Sequence, residues 1–366
     1  MRLMRRGKLA MSHEETARRY LAPLTPNLHH YLTPHKLANI ALCELDMRTR
    51  ARHARGLPYV LHLEPTNACT LRCPLCITGA RDNRIPPGRL RYDDFCRLIS
   101  RVRDELILVR LDGSGEPFIN KRLVSMLEYV HAQGIGTVVS TNFQNSEPHE
   151  MERLVRSGLD YVIVSLDGVT QEVYEKYRVG GDIQRVYDNV EALLAARRRL
   201  GRSTPFVEWQ FLEFNHNAHE VDDARSRAAA MGFDRLLVTN ARPSFWQNQI
   251  ASDAQRTCYW FYKAMNVAWT GDLKACCSDG LGEAYSIGNL LADEMPAVWN
   301  GASMLALRDL FISPEPYDES VATSKCITHC PMVNAARKAE GLPEFEIPEN
   351  DAPVFTDDFL EQGAEG

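Results

Sequence analysis

Residues 69–76 read Cys-Thr-Leu-Arg-Cys-Pro-Leu-Cys, so that Cys69, Cys73 and Cys76 are separated by three and then two residues. They follow a short apolar segment, residues 59–63, that predicts a β-strand. Three thiolates this close in the chain can bind one cubic iron–sulfur cluster from a single loop and leave its fourth iron open. A structural zinc would need a fourth Cys or His nearby, and this loop has none. The spacing therefore favours an iron–sulfur site over a zinc site or three buried cysteines.

The chain on both sides of this loop alternates between short apolar segments and segments with helical periodicity. The predicted strands are residues 59–63, 106–111, 137–140, 161–166, 207–212 and 235–238. The predicted helices between and after them are residues 92–103, 122–133, 147–157, 183–200 and 218–231. Repeated strand–helix units imply parallel strands with helices outside them. Six units are too few for a closed eightfold barrel, so we predict an α/β fold with an open, partial (β/α)6 barrel.

Polar residues follow the ends of these strands, where strand–helix folds place their chemistry. The second strand ends in Asp-Gly-Ser-Gly-Glu-Pro at residues 112–117, the third in Ser-Thr-Asn at 140–142 and the fourth in Ser-Leu-Asp-Gly at 165–168. Any one of these could simply cap a helix. Four consecutive polar strand ends, one of which carries three cysteines, instead favour a ligand site at one edge of the sheet.

A second group of cysteines lies in the C-terminal part of the chain. Cys258 is followed by Gly271, Cys276 and Cys277, and later by Cys326 and Cys330. Four thiolates would suit one [4Fe–4S] cluster or a zinc ribbon. Cys277, next to Cys276, is a fifth candidate ligand, and His329 is an alternative to a cysteine. Cys43 and Cys96 stand apart from both groups and are predicted to be structural.

The first cysteine loop resembles the CxxxCxxC motif of the radical S-adenosylmethionine (SAM) superfamily. The resemblance implies that Cys69, Cys73 and Cys76 hold a [4Fe–4S] cluster whose open iron chelates SAM. It also implies a bulky apolar residue beside the adenine, a Gly-Gly-Glu-like motif at the SAM amine, an SxDG element at the ribose and an arginine at the SAM carboxylate. The implied SAM-contacting residues are Leu75, Gly113, Ser114, Gly115, Glu116, Ser140, Asn142, Ser165, Asp167 and Arg178.

The second cysteine group resembles the SPASM/twitch class of auxiliary-cluster domains, in the arrangement CxnGx4C followed by a CxxxC pair. A full SPASM domain holds two auxiliary clusters and needs further cysteines around this pair, which are missing. The resemblance thus implies one auxiliary [4Fe–4S] cluster, nearer the shortened twitch type, with Cys258, Cys276, Cys326 and Cys330 as its ligands. Within this arrangement the Gly271 spacing favours Cys276 over Cys277.

Composition limits the class of protein. The 366 residues include 45% hydrophobic and 25% charged residues, and 42 Lys+Arg against 48 Asp+Glu give a net charge of −6. This balance argues against a mainly electrostatic nucleic-acid binder. No apolar run reaches the length of a membrane span, and no secretory signal begins the chain. Reduced cysteines and a cytoplasmic location are the resulting expectations.

The pattern also predicts how the chain is divided. Residues 1–57 are expected to be a helical lead-in, with an Arg-rich start and a helix over 35–55. Residues 58–245 form the predicted radical SAM core and 246–335 the auxiliary-cluster domain. Residues 336–366 form a predicted acidic, flexible tail.

By resemblance, the expected reaction begins with reductive cleavage of SAM to a 5′-deoxyadenosyl radical, which abstracts hydrogen from the substrate. A flavodoxin or ferredoxin is the expected electron donor. The N-terminal region does not look like a leader-peptide module, so the favoured substrate is a small, polar, sugar-like or aminocyclitol-like molecule that undergoes dehydrogenation. The alternatives are a maturase that modifies a ribosomal peptide, an epimerase, and a non-catalytic iron–sulfur or zinc protein.

Overall fold

Six parallel strands in chain order form the centre of the molecule. The computed structural model describes residues 28–80, 86–240, 257–276, 285–322, 324–328 and 330–345. The strands are β1 (Val60–Leu63), β2 (Leu108–Arg110), β3 (Gly136–Thr141), β4 (Tyr161–Ser165), β5 (Phe206–Glu213), β6 (Arg235–Asn240), β7 (Ala264–Val267) and β8 (Leu273–Lys274). Each of β1 to β5 pairs in parallel with the next strand in sequence.

Helices connect the strands, as the periodicity predicts. The α-helices are α1 (Pro34–Thr49), α2 (Tyr92–Val102), α3 (Leu123–Ala132), α4 (Met151–Arg156), α5 (Gln171–Tyr177), α6 (Ile183–Arg199), α7 (Val221–Met231), α8 (Met295–Trp299), α9 (Ala302–Ile312), α10 (Lys325–Thr328) and α11 (Pro331–Ala339). Single 3₁₀ turns occupy Leu28–Tyr31, Pro117–Ile119, Pro148–Glu150, Ala218–Glu220, Tyr259–Phe261 and Glu319–Val321. The described helices include none that is both long and apolar enough to cross a membrane. The strand–helix units repeat along the chain, and their parallel strands follow one another in sequence order across the sheet. The predicted partial (β/α)6 barrel is therefore confirmed.

The two faces of the sheet have different surroundings because side chains alternate along each strand. Leu61, Val109 and Val162 face the large core under the helices. Val60 and Leu108 face the barrel interior, together with other residues of the same row. The interior is therefore defined by one alternating set of strand positions.

The N-terminal segment covers the end of this interior at which the strands begin. Leu28, Ile40 and Cys43 pack with the first interior residues of the strands. Tyr31 donates from its hydroxyl to Asp160 Oδ1 at 2.6 Å, directly before β4. Burial raises the pKa of the Cys43 thiol to about 12. Cys43 is thus a core residue, as predicted.

The predicted helix over residues 35–55 ends earlier in the structure, at Thr49. Arg50 adopts a left-handed conformation with φ of 50° and caps the helix. The buried carboxylate of Asp46 then accepts hydrogen bonds from the backbone N–H groups of Arg55 and Gly56. These bonds fold the segment back towards β1, which a continued helix would prevent.

The C-terminal part continues the central sheet. β7 pairs in parallel with β1, and β8 pairs antiparallel with β7. The predicted boundary at residue 335 falls inside α11, and Asn334 of this helix exchanges hydrogen bonds with Phe345. The division of the chain at this boundary stays a prediction, and so does the flexible tail. Its acidic residues beyond 345 and the Arg-rich start of the chain lie outside the described residues.

Candidate active site at the carboxyl ends of the strands

The three cysteines of residues 69–76 lie together at the end of β1. Cys69, Cys73 and Cys76 belong to one small cluster, whose other members are Leu71, Leu75, Tyr177, Leu212 and Phe214. The backbone N–H of Cys76 donates to the carbonyl of Cys73 at 3.1 Å, which turns the loop back on itself. The sequence-predicted set is therefore brought together, beside the apolar Leu75 that the resemblance places at the adenine.

The donor chemistry of this loop fits an iron–sulfur cluster. None of the three cysteines forms a disulfide bond. Burial raises the pKa of Cys69 to about 11 and also raises that of Cys73, so these ligands need a metal to favour the thiolate. Within the described part of the chain, no three Cys, His, Asp or Glu side chains are placed to hold a single metal ion. Three thiolates that each bind a different iron of one cluster do not require such a placement.

The Gly-Ser-Gly-Glu turn after β2 packs against the approach to this loop. The backbone N–H of Glu116 donates to the carbonyl of Ala68 at 2.8 Å. A Cβ on Gly115 would lie 2.3 Å from the carbonyl oxygen of Thr66, so a side chain has no room there. Thr78 also donates from its hydroxyl to the carbonyl of Ser114. The glycine turn and the cysteine loop therefore hold each other in place.

Glu116 links the ends of β2 and β3. Its Oε1 accepts hydrogen bonds from the Thr141 hydroxyl at 2.6 Å and the Phe118 N–H at 3.2 Å, while Oε2 accepts from the Asn142 N–H at 2.8 Å. The side chain is buried, and burial raises its pKa. Glu116 thus has a structural role in addition to its predicted contact with the SAM amine, and that contact stays a prediction.

Asp167 and Arg178 form a buried ion pair. Arg178 Nε donates to Asp167 Oδ2 at 2.6 Å, and Asp167 Oδ1 accepts from the backbone N–H of Leu212 at 2.7 Å. Burial is the largest single influence on the pKa of Arg178 and lowers it, but Asp167 together with Cys73, Tyr177 and Tyr174 raises the pKa overall. Arg178 is also close enough to Cys73 to lower the pKa of that thiol against the effect of burial. The predicted contacts of this pair with SAM would use the edge of Arg178 that Asp167 leaves open.

The remaining predicted SAM contacts lie at the ends of β3 and β4. Asn142 donates from Nδ2 towards the sulfur of Cys69 at 3.6 Å, which connects the third strand to the cysteine loop. Ser140 is half-buried and Ser165 is buried. The strand order places these positions at the same edge of the sheet as the cysteines. Their contacts with SAM stay predictions.

Glu64 is a site residue that sequence reasoning missed. Its Oε1 accepts from the backbone N–H of Ser114 at 3.1 Å, and its Oε2 accepts from the backbone N–H of Trp269 at 3.3 Å. The Nζ of Lys274 lies 4.0 Å from Oε1. One buried carboxylate therefore joins the glycine turn of the barrel to the segment that leads to Cys276. The sequence signal that could have identified Glu64 is an acidic residue directly after an apolar strand.

A second missed group lies in the barrel interior. His62 of β1 and Arg110 of β2 are register partners and occupy the same face as Val60 and Leu108. Arg110 Nη2 donates to Asp112 Oδ2 at 2.6 Å, and His62 Nδ1 lies 4.0 Å from Asp112 Oδ1. Burial, followed by the nearby charge of Arg110, lowers the pKa of His62 to about 4, so this imidazole is neutral at pH 7. Charged residues inside short apolar strands were the signal for this group.

Aromatic residues directly after Cys258 cover the interior group. The rings of Trp260 and His62 make an edge contact with centroids 4.8 Å apart. Tyr259 packs against the interior apolar residues, and its phenol is close enough to influence the pKa of Arg110. A predicted ligand of the auxiliary cluster is therefore only one residue from the wall of the barrel interior.

The second cysteine group lies in the C-terminal part of the chain, whose strands β7 and β8 continue the sheet beyond β1. Cys258 and Cys326 are buried in the core, while Cys276 and Cys330 are half-buried. The Cys276 carbonyl accepts a hydrogen bond from Asn266 Nδ2 at 2.8 Å, and Cys330 precedes the first residue of α11. Cys277 and His329, the two alternative ligands, lie outside the described residues. The convergence of four thiolates on one cluster stays a prediction.

Two family models match the chain in these two regions. The radical SAM superfamily matches residues 63–204, and the SPASM iron–sulfur cluster-binding domain matches residues 258–331. Mycofactocin maturase MftC of Mycobacterium ulcerans is 28% identical over 60% of this chain and 59% of its own length. The tungsten-containing aldehyde ferredoxin oxidoreductase cofactor-modifying protein of Pyrococcus furiosus is 25% identical over 50% of this chain and 51% of its own. The chain thus spans between half and two thirds of these relatives.

Solved structures support the fold. Streptococcus suis SuiB bound to S-adenosylmethionine superimposes with a TM-score of 0.58 and 16% identity, over 80% of this chain and 77% of that one. The two matched domains imply the SAM-binding [4Fe–4S] cluster, SAM and an auxiliary [4Fe–4S] cluster, which confirms the predicted cofactors. The chain belongs to the radical SAM superfamily and carries a SPASM cluster-binding domain in its C-terminal part.

Proposed function

We propose that this chain is a peptide-modifying radical SAM maturase that oxidises a carbon–hydrogen bond of its substrate. The observation that carries the catalytic part is the placement of three free cysteines at the end of β1, against a glycine turn that has no room for a side chain. A [4Fe–4S] cluster bound there would supply the one-electron chemistry that reductive cleavage of SAM requires. Cys69, Cys73 and Cys76 would hold it.

The substrate class is chosen from the relatives. Mycofactocin maturases recur among the curated relatives, at 28% identity. SuiB, which shares the fold, was crystallised bound to its precursor peptide SuiA, so a protein of this fold binds a peptide. These findings support the peptide alternative better than the sugar-like substrate that the sequence favoured. We therefore replace the small polar metabolite by a peptide as the preferred substrate.

The chain's own residues have distinct tasks in this proposal. Glu116, Asp167 and Arg178 fix the strand ends around SAM through buried hydrogen bonds. The imidazole of His62, which burial and Arg110 keep neutral, offers a hydrogen-bonding group inside the barrel, close to the wall formed by Trp260. Cys258, directly before that wall in sequence, would help to hold the auxiliary cluster, which would supply a redox centre next to the interior. A cytoplasmic flavodoxin or ferredoxin is the proposed source of the first electron.

The test uses the full chain, reconstituted with iron and sulfide without oxygen. Short peptides encoded beside the gene are added with SAM and a reductant, and 5′-deoxyadenosine is measured by mass spectrometry. The correct peptide should raise 5′-deoxyadenosine formation, pass deuterium from a labelled carbon into it, and lose two hydrogens. Replacing Cys69, Cys73 and Cys76 by Ala is the matched control and should give none. Stimulation by sugars or aminocyclitols but by no peptide would overturn the proposed substrate class.

A further inference from the structure

The interior group at His62, Arg110 and Asp112 contains a donor that the protein does not satisfy. Arg110 Nε is buried, and within the described chain no group accepts its hydrogen. A guanidinium carries five N–H donors and stays protonated at physiological pH. A buried donor without an acceptor is unfavourable, so its acceptor is expected to come from a water molecule or a ligand.

The surroundings of Arg110 favour a ligand. The side chains of Arg110 and His62 are 23% and 21% exposed although they project from the inner face of the sheet. They therefore border open space within the barrel. Arg235, another arginine on the inner face, donates to Glu208 and to the Tyr161 hydroxyl and is half exposed. Arg110, in contrast, combines a buried Nε with an unmet hydrogen bond among the described residues.

Arg110 lies where a substrate-binding residue is expected. Arg110 is the last residue of β2 and lies three residues before Gly113, where the glycine turn beside the cysteine loop begins. Its register partner His62 is likewise close to the end of β1. A molecule that contacts Arg110 would lie on the interior side of the strand ends, with Trp260 as an apolar wall.

The charge of the group selects the ligand. Asp112 already accepts one hydrogen bond from Arg110 and offsets its charge, so the group attracts a further anion only weakly, and a dianion is less favourable than a single carboxylate at the unmet Nε donor. The neutral His62 adds a polar contact without adding charge. A carboxylate also matches the two-pronged geometry of a guanidinium.

We propose that Arg110 binds a carboxylate group of the substrate in the barrel interior, and so orients the substrate towards SAM. This inference rests on the proposed function, because it takes the interior as the place where the substrate is processed. For a peptide, the carboxylate is either the C-terminus or the side chain of an Asp or Glu residue.

Calorimetric binding to the cluster-loaded chain with SAM present tests the proposal. The probes are N-acetyl-phenylalanine, its neutral amide, the α-amide of N-acetyl-glutamate, and inorganic phosphate. The two acids should bind, and the neutral amide should bind at least about tenfold more weakly. Whichever acid binds more tightly identifies the source of the carboxylate, a C-terminus or a side chain.

Variants assign the effect to Arg110. Arg110→Gln should lose at least about tenfold in affinity for the acids but keep its affinity for the amide. Arg153→Gln, which removes an exposed arginine on α4, should bind like the wild type. If the Gln variant does not assemble its clusters, Arg110→Lys replaces it and should keep a weakened preference for acid over amide.

Several results would overturn the proposal. These are no binding of the acids by the wild type, equal binding of acid and amide, tighter binding of phosphate, or unchanged acid affinity in the Arg110 variants. Failure to modify any peptide would leave these binding results intact, so an error in the proposed function can be told from an error here.

Discussion

Arg178 Nε and Asp167 Oδ2 are joined by a buried hydrogen bond of 2.6 Å, and Asp167 is fully buried. This pair can stabilise the fold, contribute to SAM binding, or do both. Arg178→Ala leaves a buried carboxylate unpaired and should lower the free energy of unfolding by about 3–5 kcal/mol. Loss of its contact with SAM should weaken SAM binding by roughly 10- to 150-fold.

A double variant separates the two roles of this pair. Asp167→Asn combined with Arg178→Ala removes both charges, so thermal stability should recover relative to Arg178→Ala alone. SAM affinity, measured by equilibrium dialysis, should stay low if Arg178 contacts the SAM carboxylate. Recovery of both quantities together would assign Arg178 a structural role only.

Iron content tests the number of clusters. The wild type, reconstituted without oxygen, should contain about eight iron atoms per chain from two four-iron clusters. Replacing Cys69, Cys73 and Cys76 by Ala should leave about four and abolish SAM cleavage. Metal analysis that finds one tightly bound zinc and no iron would contradict the assignment of both sites.

Cys276 and its neighbour Cys277 provide a matched pair for the auxiliary site. The Gly271 spacing predicts that Cys276→Ala loses the auxiliary cluster, about four iron atoms, whereas Cys277→Ala keeps it. Iron analysis and electron paramagnetic resonance of the reduced proteins distinguish the two variants. Equal loss in both would show that the spacing does not select the ligand.

Gly115 should be indispensable for steric reasons. In Gly115→Ala the new Cβ would lie 2.3 Å from a backbone oxygen of Thr66, so the turn must move away from the cysteine loop. SAM binding should fall by about tenfold or more, a cost of about 1.4 kcal/mol or more. Gly201→Ala is the control, because its Cβ would meet nothing within 4 Å and only its φ of 61° is strained. It should lower thermal stability slightly and leave SAM affinity unchanged.

The buried carboxyl of Glu116 should give stability a particular pH dependence. Burial raises its pKa above the ordinary value of 4.5. The unfolded chain therefore releases this proton at lower pH than the folded chain, and the wild type loses stability as pH rises from about 4.5 towards the raised pKa. Glu116→Gln lacks this titrating group, so the difference obtained by subtracting the wild-type Tm from the variant's Tm should increase with pH over the same range. A constant difference in Tm would show that Glu116 ionises normally.

The alternation of strands and helices was sufficient to predict the barrel, because each apolar segment is short and each helix has its own periodicity. The cysteine loop was equally accessible, since its three ligands are adjacent in sequence. Glu64 and Arg110 were not predicted, because their roles depend on residues more than 40 positions away in sequence: Ser114 as a hydrogen-bond donor to Glu64, and His62 as the register partner of Arg110. The pairing of β7 with β1 was missed for the same reason: residues 264–267 contain no periodic signal that selects the edge of one particular strand.

The attachment of β7 to β1 has a thermodynamic consequence. β1 forms backbone hydrogen-bond ladders with β2 on one side and with β7 on the other. Neither the barrel nor the C-terminal extension can therefore unfold alone without exposing an edge of the buried strand β1. Buried edges without partners are costly. The described barrel and its C-terminal extension should therefore unfold in one cooperative calorimetric transition, and truncation before residue 264 should yield an aggregation-prone sheet.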